Sequence, residues 1–492
     1  MGIRNGAQYL ASLKDERNVV YDGKRIVDVA SEPGFELTAR AVAQFYDFQS
    51  APENRELMTY VTEDGDRAGM AFKQARTKED LRQRAAAYAA WAEVTCGFMD
   101  RSPDYMNTLL AVMNGVSSSL SAIDPKLGER ARNIYLDARR RDLFFSQTLA
   151  EPYKVVAPPG AEEQPACRVI RETADGIVVR GARALATLAP FANMNFDIGN
   201  GTFYQKGDEV YLCGFVVPVG LRGVQWICRD KLNGDRPHSE SPLAARLDEM
   251  DCVLLFDDCL IPWELVYALI PITADVPGTR NVLAGQQHQV LVRSIAKARF
   301  LVGLGHLIAE SSKVNRFINV QERLGEMVVW QRTLEAFAVA AVENAVFDEA
   351  TQTWGPNPQT VEISGVWSAQ YFPKMIGHIL ELGGSRHVST PQQHTLDLLG
   401  ELAERYYAGA GPSAKENIAL FRLAWDVAGS TWGSRQDLYE RFHFGDATLR
   451  KVGAYMSTDL SEALAMVRRI LQVPPTREQV FPMPDKRSAR TH

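Results

Sequence analysis

NVQERLGEMVVWQRTLEAFAVAAVENAV, residues 319–346, is the stretch on which the fold reading turns. It contains no proline and a single glycine. Its apolar residues Leu324, Met327, Val328, Leu334, Phe337, Ala338 and Ala341 recur at helical spacing, which marks one long helix. Further helices are expected at 289–311, 361–382, 394–408, 415–433 and 459–472. Several long helices in succession predict a four-helix bundle. Helices apolar over more than one face predict association through that bundle.

Upstream the pattern changes. From 146 to about 270, short β-rich runs alternate with turn signals. Asp175-Gly176 lies between RVIRET and IVVRG, a hairpin signal. Lys206-Gly207-Asp208 precedes EVYLCGFVVPV, and MDCVLLFDDCLIP reads as a buried strand with Cys252 and Cys259 in the core. Before 146 the chain reads as mostly helical, with helices at 76–99, 105–113 and 126–145. Asn114-Gly115 and a serine run suggest a loop between the last two. The reading is an α+β protein of three parts: an N-terminal helical domain (1–145), a central β-barrel domain (146–275), and a C-terminal helical bundle with its tail (276–492).

Composition excludes more than it selects. Of 492 residues, 46% are hydrophobic and 23% charged, the profile of a globular protein. The net charge of −6, without a basic stripe, argues against a nucleic-acid partner. The six cysteines are scattered with no CxxC, so neither a disulfide framework nor a metal site is expected. No uncharged apolar run reaches membrane-spanning length and no signal-peptide pattern opens the chain, so a cytoplasmic location is expected. GxGxxG, P-loop, HExxH and GxSxG motifs are absent. Spacing alone stops at this point.

Five longer stretches carry a resemblance: RSPDY at 101–105, DGIVVRGARALATLAP at 175–190, SPLAARLDEMDCVLLFDDCLIPWE at 241–264, LGEMVVWQ at 324–331 and GPSAKENIALFRLAWDVAGSTWGSRQDLYERF at 411–442. In this order they resemble the oxygenase components of the 4-hydroxyphenylacetate 3-monooxygenase family. The resemblance implies an acyl-CoA dehydrogenase-like fold and a homotetramer. It also implies FAD, used as FADH2 from a separate NAD(P)H-dependent flavin reductase, with O2 as co-substrate. The implied reaction hydroxylates a small phenolic substrate through a flavin C4a-hydroperoxide.

The same resemblance assigns site residues. Arg101 and Tyr105 match the pair that contacts phenol and flavin; if RSPDY opens a helix, i and i+4 share a face. Gln147 stands where the family has a histidine. A histidine accepts the phenol proton, whereas an amide only hydrogen-bonds. That departure implies a substrate already ionised at neutral pH, such as a nitro- or polyhalophenol, a substrate different in kind, or another proton acceptor. His288 matches a histidine near the flavin. Thr187 matches the segment along the isoalloxazine, where its hydroxyl would bond N5 or O4. Arg293 would meet FAD phosphates or else only an acidic neighbour. Gly383-Gly384-Ser385 matches loops that approach the pyrophosphate, often from a neighbouring subunit. Arg441, Phe442 and His443 would reach the substrate.

Three rival readings follow from the same residues. A 4-hydroxybutyryl-CoA dehydratase-like iron–sulfur enzyme needs thiolates where this chain has Arg101, Tyr105 and Ile295. An acyl-CoA dehydrogenase would need a carboxylate base over the flavin. A catalytically inactive flavin-binding protein is the third.

Overall fold

A computed structural model describes residues 2–150, 165–199, 211, 213–234, 236–268, 278–443 and 445–471. The expected turn at Lys206-Gly207-Asp208 and the C-terminal tail beyond 471 lie outside these residues. The order is helices, sheets, then long helices. This is the α+β, acyl-CoA dehydrogenase-like layout that the resemblance implies. Among the described residues no helix is long and apolar enough to cross a membrane.

The long helices pack as the sequence suggests. Thr279–Ser311, Ile318–Glu343, Pro358–Gly383 and Ala414–Ala428 pack against one another, around buried Leu304, Met327, Trp330, Leu334, Phe372 and Phe421. Two expected helices are divided. The 394–408 segment forms Gln393–Leu399 and Glu401–Tyr407, separated at Gly400. The 415–433 segment breaks after Ala428. There the Ser430 side chain accepts from the Gly433 N–H and starts a new helix, Thr431–Phe442. That second helix turns back toward the sheets and forms one wall of the cavity described below.

Near the N-terminus, Asn114-Gly115 does not make a loop. Pro103–Ile123 is one continuous helix. Val116 and Leu120 stay buried, and the Ser117 hydroxyl donates back to the Asn114 carbonyl, so packing overrides the local turn signal. The following helix ends at Arg141 rather than 145. Asp142 adopts a left-handed conformation, and Phe145–Thr148 continues as a strand.

The central strands form two larger sheets among the described residues. The first runs in the order Lys24–Ile26, Val19–Tyr21, Val224–Cys228, Asp251–Pro262, Gly176–Thr187, Arg168–Glu172. The second runs Val266–Ala268, Gly214–Pro218, Met194–Ile198, Phe145–Thr148. The N-terminal part therefore supplies two strands to the first sheet, which its helical reading missed. The expected hairpin is present: Arg168–Glu172 pairs antiparallel with Gly176–Thr187. MDCVLLFDDCLIP contains a strand paired on both sides. Cys252 and Cys259 are buried in it, with Cys252 opposite Cys228. Phe215 and Phe256 meet edge-on, with ring centres 5.5 Å apart, and join the two sheets.

Candidate active site

The chain immediately before RSPDY is shaped by a close approach. Gly97 has φ +76, and a Cβ there would lie 2.7 Å from both the Arg293 carbonyl and the Lys297 amide of the Thr279–Ser311 helix. Only glycine fits. The chain can then bury Asp100 completely. Arg101 donates its backbone N–H to Glu249 (2.7 Å). Ser102 takes the N-cap position and Pro103 the first turn. Asp104 accepts from Ser102 Oγ at 2.6 Å and from Gln289 Nε2 at 3.1 Å.

RSPDY thus opens a helix, but Arg101 stands outside it. Its guanidinium folds back over the Tyr105 ring, 4.1 Å from the ring centre. The two side chains meet by stacking across the helix start rather than along a helix face. Arg101 Nη1 is buried and has no hydrogen-bond partner.

Arg101 borders a cavity of about 380 Å³. The β region contributes Gln147, Leu149, Ala150, Ala184, Leu185, Thr187 and Asp251. The Thr431–Phe442 helix and its C-cap contribute Arg435, Leu438, Tyr439, Phe442 and His443. Gln147 comes from Phe145–Thr148, which lies parallel to Met194–Ile198. A register shift between Gly176–Thr187 and Asp251–Pro262 falls opposite Ala184-Leu185. Leu185 takes φ +60 and is 65% exposed. A bulge here turns this leucine outward at the cavity wall.

Behind the cavity lies a buried ionic network. Lys297 Nζ reaches Asp100 at 2.9 Å, Glu440 at 2.7 Å and Gln436 at 3.1 Å. Arg293 pairs with Asp100 and with Glu440. Arg435 spans Glu249 (2.7 Å) and Asp251 (2.9 Å). Burial raises the Glu249 carboxyl to about 7 against the opposing charge of Arg435. For Asp251 burial also opposes ionisation, but Arg435 and Arg229 outweigh it and hold the carboxyl well below the usual range. For Glu440 the same contest is won by Lys297 and Arg293.

The structure brings Arg101, Gln147, Thr187 and His443 to one cavity, with Tyr105 under Arg101. Thr187 Oγ1 donates to Asp251 at 2.7 Å. Its one proton is committed there, so toward a ligand it can only accept, which suits the N5 rather than the O4 alternative. His443 Nδ1 lies 2.8 Å from the Tyr439 carbonyl, and its ring stacks on Tyr439 with centres 4.5 Å apart. Burial, opposed by Glu440, lowers its pKa to about 3, so it is neutral at pH 7.

The other assigned residues lie outside this cavity. His288 does not line the cavity. It is sealed against Tyr88, its Nε2 has no partner, and burial aided by Arg84 lowers its pKa to about 3. Gln289 of that helix bonds the RSPDY segment, at Ser102 and Asp104. Arg293 is 1% exposed and held by Asp100, Glu440 and the Gly97 carbonyl; the acidic-neighbour alternative holds, and the guanidinium is not free for phosphates. Arg441 lies on the outer face of its helix, paired with Asp437 at 2.7 Å, because 435, 438, 439 and 442 occupy the inner face at helical spacing. Gly383-Gly384-Ser385 ends the Pro358–Gly383 helix and does not line the cavity. A Cβ at Gly383 would strike the His387 ring, so packing within the chain already requires that glycine.

Sequence reasoning missed Tyr439, Arg435, Leu438 and Asp251. The first three were accessible from the 435/438/439/442 spacing that also contains Phe442. Asp251 had no comparable signal.

The comparisons with known proteins decide the family. The 4-hydroxyphenylacetate 3-hydroxylase N-terminal model matches residues 5–268, and the C-terminal model matches 277–472. The chain belongs to the 4-hydroxyphenylacetate 3-hydroxylase family. It is 35% identical to the 4-hydroxyphenylacetate 3-monooxygenase oxygenase component of Thermus thermophilus, over 90% of this chain and 92% of that protein. It is 28% identical to the 4-nitrophenol 2-monooxygenase oxygenase component of a Rhodococcus species, over 93% of this chain and 90% of that protein. The crystal structure of an oxygenase component of 4-hydroxyphenylacetate 3-monooxygenase complexed with FAD and 4-hydroxyphenylacetate superposes with a TM-score of 0.88, at 33% identity, covering 95% of this chain and 98% of that one.

Proposed function

We propose that this chain is the oxygenase component of a two-component aromatic hydroxylase that uses FADH2 and O2 to hydroxylate a phenol. The observation that carries the reading is Arg101 Nη1, a buried cationic donor without a protein partner, at a cavity walled by leucines and aromatic rings. A guanidinium left unpaired in such a place calls for an anionic or strongly polar ligand. The residues present fit FAD and a phenol: Arg101 offers a donor, Thr187 an acceptor for a ligand N–H, and Gln147 an amide that does either.

When bound, reduced FAD activates O2 for transfer of one oxygen atom to an electron-rich ring. The chain's own residues prepare that ring. Arg101 holds the phenol oxygen and favours its ionised form by charge. Tyr105 underlies and orients the guanidinium. Leu149, Leu185, Leu438 and Phe442, exposed in the single chain, offer the apolar wall against which ring and flavin would pack. Gln147 positions the phenol but takes no proton. Electron-poor phenols such as nitro- or halophenols, already ionised near neutral pH, are therefore the substrates favoured. The Rhodococcus relative named for 4-nitrophenol supports that preference.

A separate NAD(P)H-dependent reductase supplies the reduced flavin. The working unit is a homotetramer, in which 383–385 approaches the cofactor of a neighbouring copy. Exposed Val328, Val329 and Val339 on the Ile318–Glu343 helix support burial against another copy.

The test mixes purified protein, photoreduced FAD, oxygenated buffer and a series of phenols, then identifies products by mass spectrometry. Product carrying one oxygen atom from 18O2 establishes the activity. Flavin reoxidation that yields only hydrogen peroxide with every phenol overturns it.

A further inference from the structure

Two residues that line the cavity carry a buried donor without a hydrogen-bond partner: Arg101 at Nη1 and Tyr439 at Oη. They come from different parts of the chain, the start of the Pro103–Ile123 helix and the Thr431–Phe442 helix. The Arg101 guanidinium lies 5.4 Å from the centre of the Tyr439 ring, so both groups border one corner of the cavity. The ring is fixed from several sides. His443 stacks on it nearly parallel, at 8°. Arg435 and Arg293 approach it at 5.1 and 5.8 Å from its centre.

A tyrosine hydroxyl can donate or accept. Arg293 and Arg435 are balanced by Asp100, Glu440, Glu249 and Asp251, so Arg101 is the cation beside the ring that stabilises negative charge on an approaching ligand atom. Toward an anion the hydroxyl donates. A buried hydroxyl with no partner is unfavourable until a ligand supplies one. Arg101 and Tyr439 together therefore present a cation and a neutral donor to one oxygen.

We infer that Tyr439 Oη is a second hydrogen-bond donor to the phenol oxygen of the substrate, acting beside Arg101 at the same corner of the cavity. This rests on the phenol-hydroxylase reading above. It adds a residue that selects for the ionised phenol and partly offsets the missing base at Gln147. A hydrogen bond to a charged acceptor is strong enough to shift binding about tenfold or more.

The test uses the full-length protein loaded with oxidised FAD and 4-nitrophenol as the probe, because its ionised form has its own visible absorbance. Tyr439→Phe removes one oxygen and keeps the ring between His443 and the guanidinium groups; an unchanged melting temperature verifies the fold. The variant is expected to bind 4-nitrophenolate about tenfold more weakly and to raise the apparent pKa of the bound phenol by about one unit. Affinity for 4-nitroanisole, which lacks the ionisable oxygen, and for FAD should not change. Identical affinity and bound pKa in variant and wild type would overturn the assignment. An equal loss for 4-nitroanisole, or a loss confined to FAD, also overturns it, since the hydroxyl then serves packing or the flavin. If the wild-type protein itself binds no phenol, the underlying hydroxylase reading falls first.

Discussion

Arg101 and Tyr105 are joined face to face, guanidinium over ring at 4.1 Å, although Arg101 precedes the helix that contains Tyr105. In this stack Nη1 is buried and has no hydrogen-bond partner. Arg101→Ala should reduce hydroxylation on the order of 10²-fold, the scale of losing one preorganised charge-stabilising donor. The backbone bond from residue 101 to Glu249 survives the change, so the melting temperature should move little. Product formation and a thermal melt together check this; turnover at the wild-type rate would remove Arg101 from the site.

Gln147 supplies the second prediction. Gln147→His introduces a group that can take a proton at the same cavity wall. Turnover of unactivated phenols should rise relative to nitro- and halophenols, and the pH profile for the former should broaden toward neutral pH. The measurement is kcat/KM across phenols spanning a wide range of pKa. A uniform change across the series would disprove the role assigned to this position.

Lys297, with Arg293, is one of two cations shared by Asp100 and Glu440 behind the cavity. Lys297→Met removes it and leaves buried carboxylates short of charge. The expected loss is about 3–5 kcal/mol of unfolding free energy, as for breaking a buried pair on one side. Chemical denaturation reads it directly. A loss near zero would mean that Arg293 alone balances both carboxylates.

Asp104 gives a pH signature. Burial raises its pKa from 3.8 to about 6, so the folded state favours the protonated form. That contribution is fully present below about pH 4 and disappears as pH rises through about 6. Asp104→Asn should therefore stabilise the protein relative to wild type above pH 6, by up to about 2–3 kcal/mol for a rise of this size. It should make little difference near pH 4. Melting temperatures at pH 4 and pH 8 decide it.

His288 has the opposite sign. Its pKa is lowered from 6.5 to about 3 by burial, so its neutral form contributes stability above pH 6.5 that is lost as pH falls below that value. His288→Gln should flatten the acid limb of the stability profile between pH 6.5 and 4. A limb of unchanged slope would show that His288 does not titrate on unfolding.

What the sequence determined by itself was the order of parts, the long helices, the DG hairpin, the strand in MDCVLLFDDCLIP and the helix start at RSPDY. These follow from periodicity and capping, which are local and visible along the chain. Its wording also placed Arg101, Tyr105, Gln147 and His443 in one site. Tertiary structure alone decided which charged residues face that site and which serve each other. Arg293 lies four residues beyond Gln289 on one helix, yet it meets Asp100 and Glu440, which are distant in sequence. Nothing local distinguishes a guanidinium that pairs internally from one kept for a ligand. Asp251 likewise became a cavity residue only when a strand end and a late helix were packed together. Helix continuation through Asn114-Gly115 has the same origin: burial of Val116 and Leu120 outweighs a weak local turn preference. Partnerships across the fold depend on the packing of distant segments, and no short stretch of this sequence contains both partners.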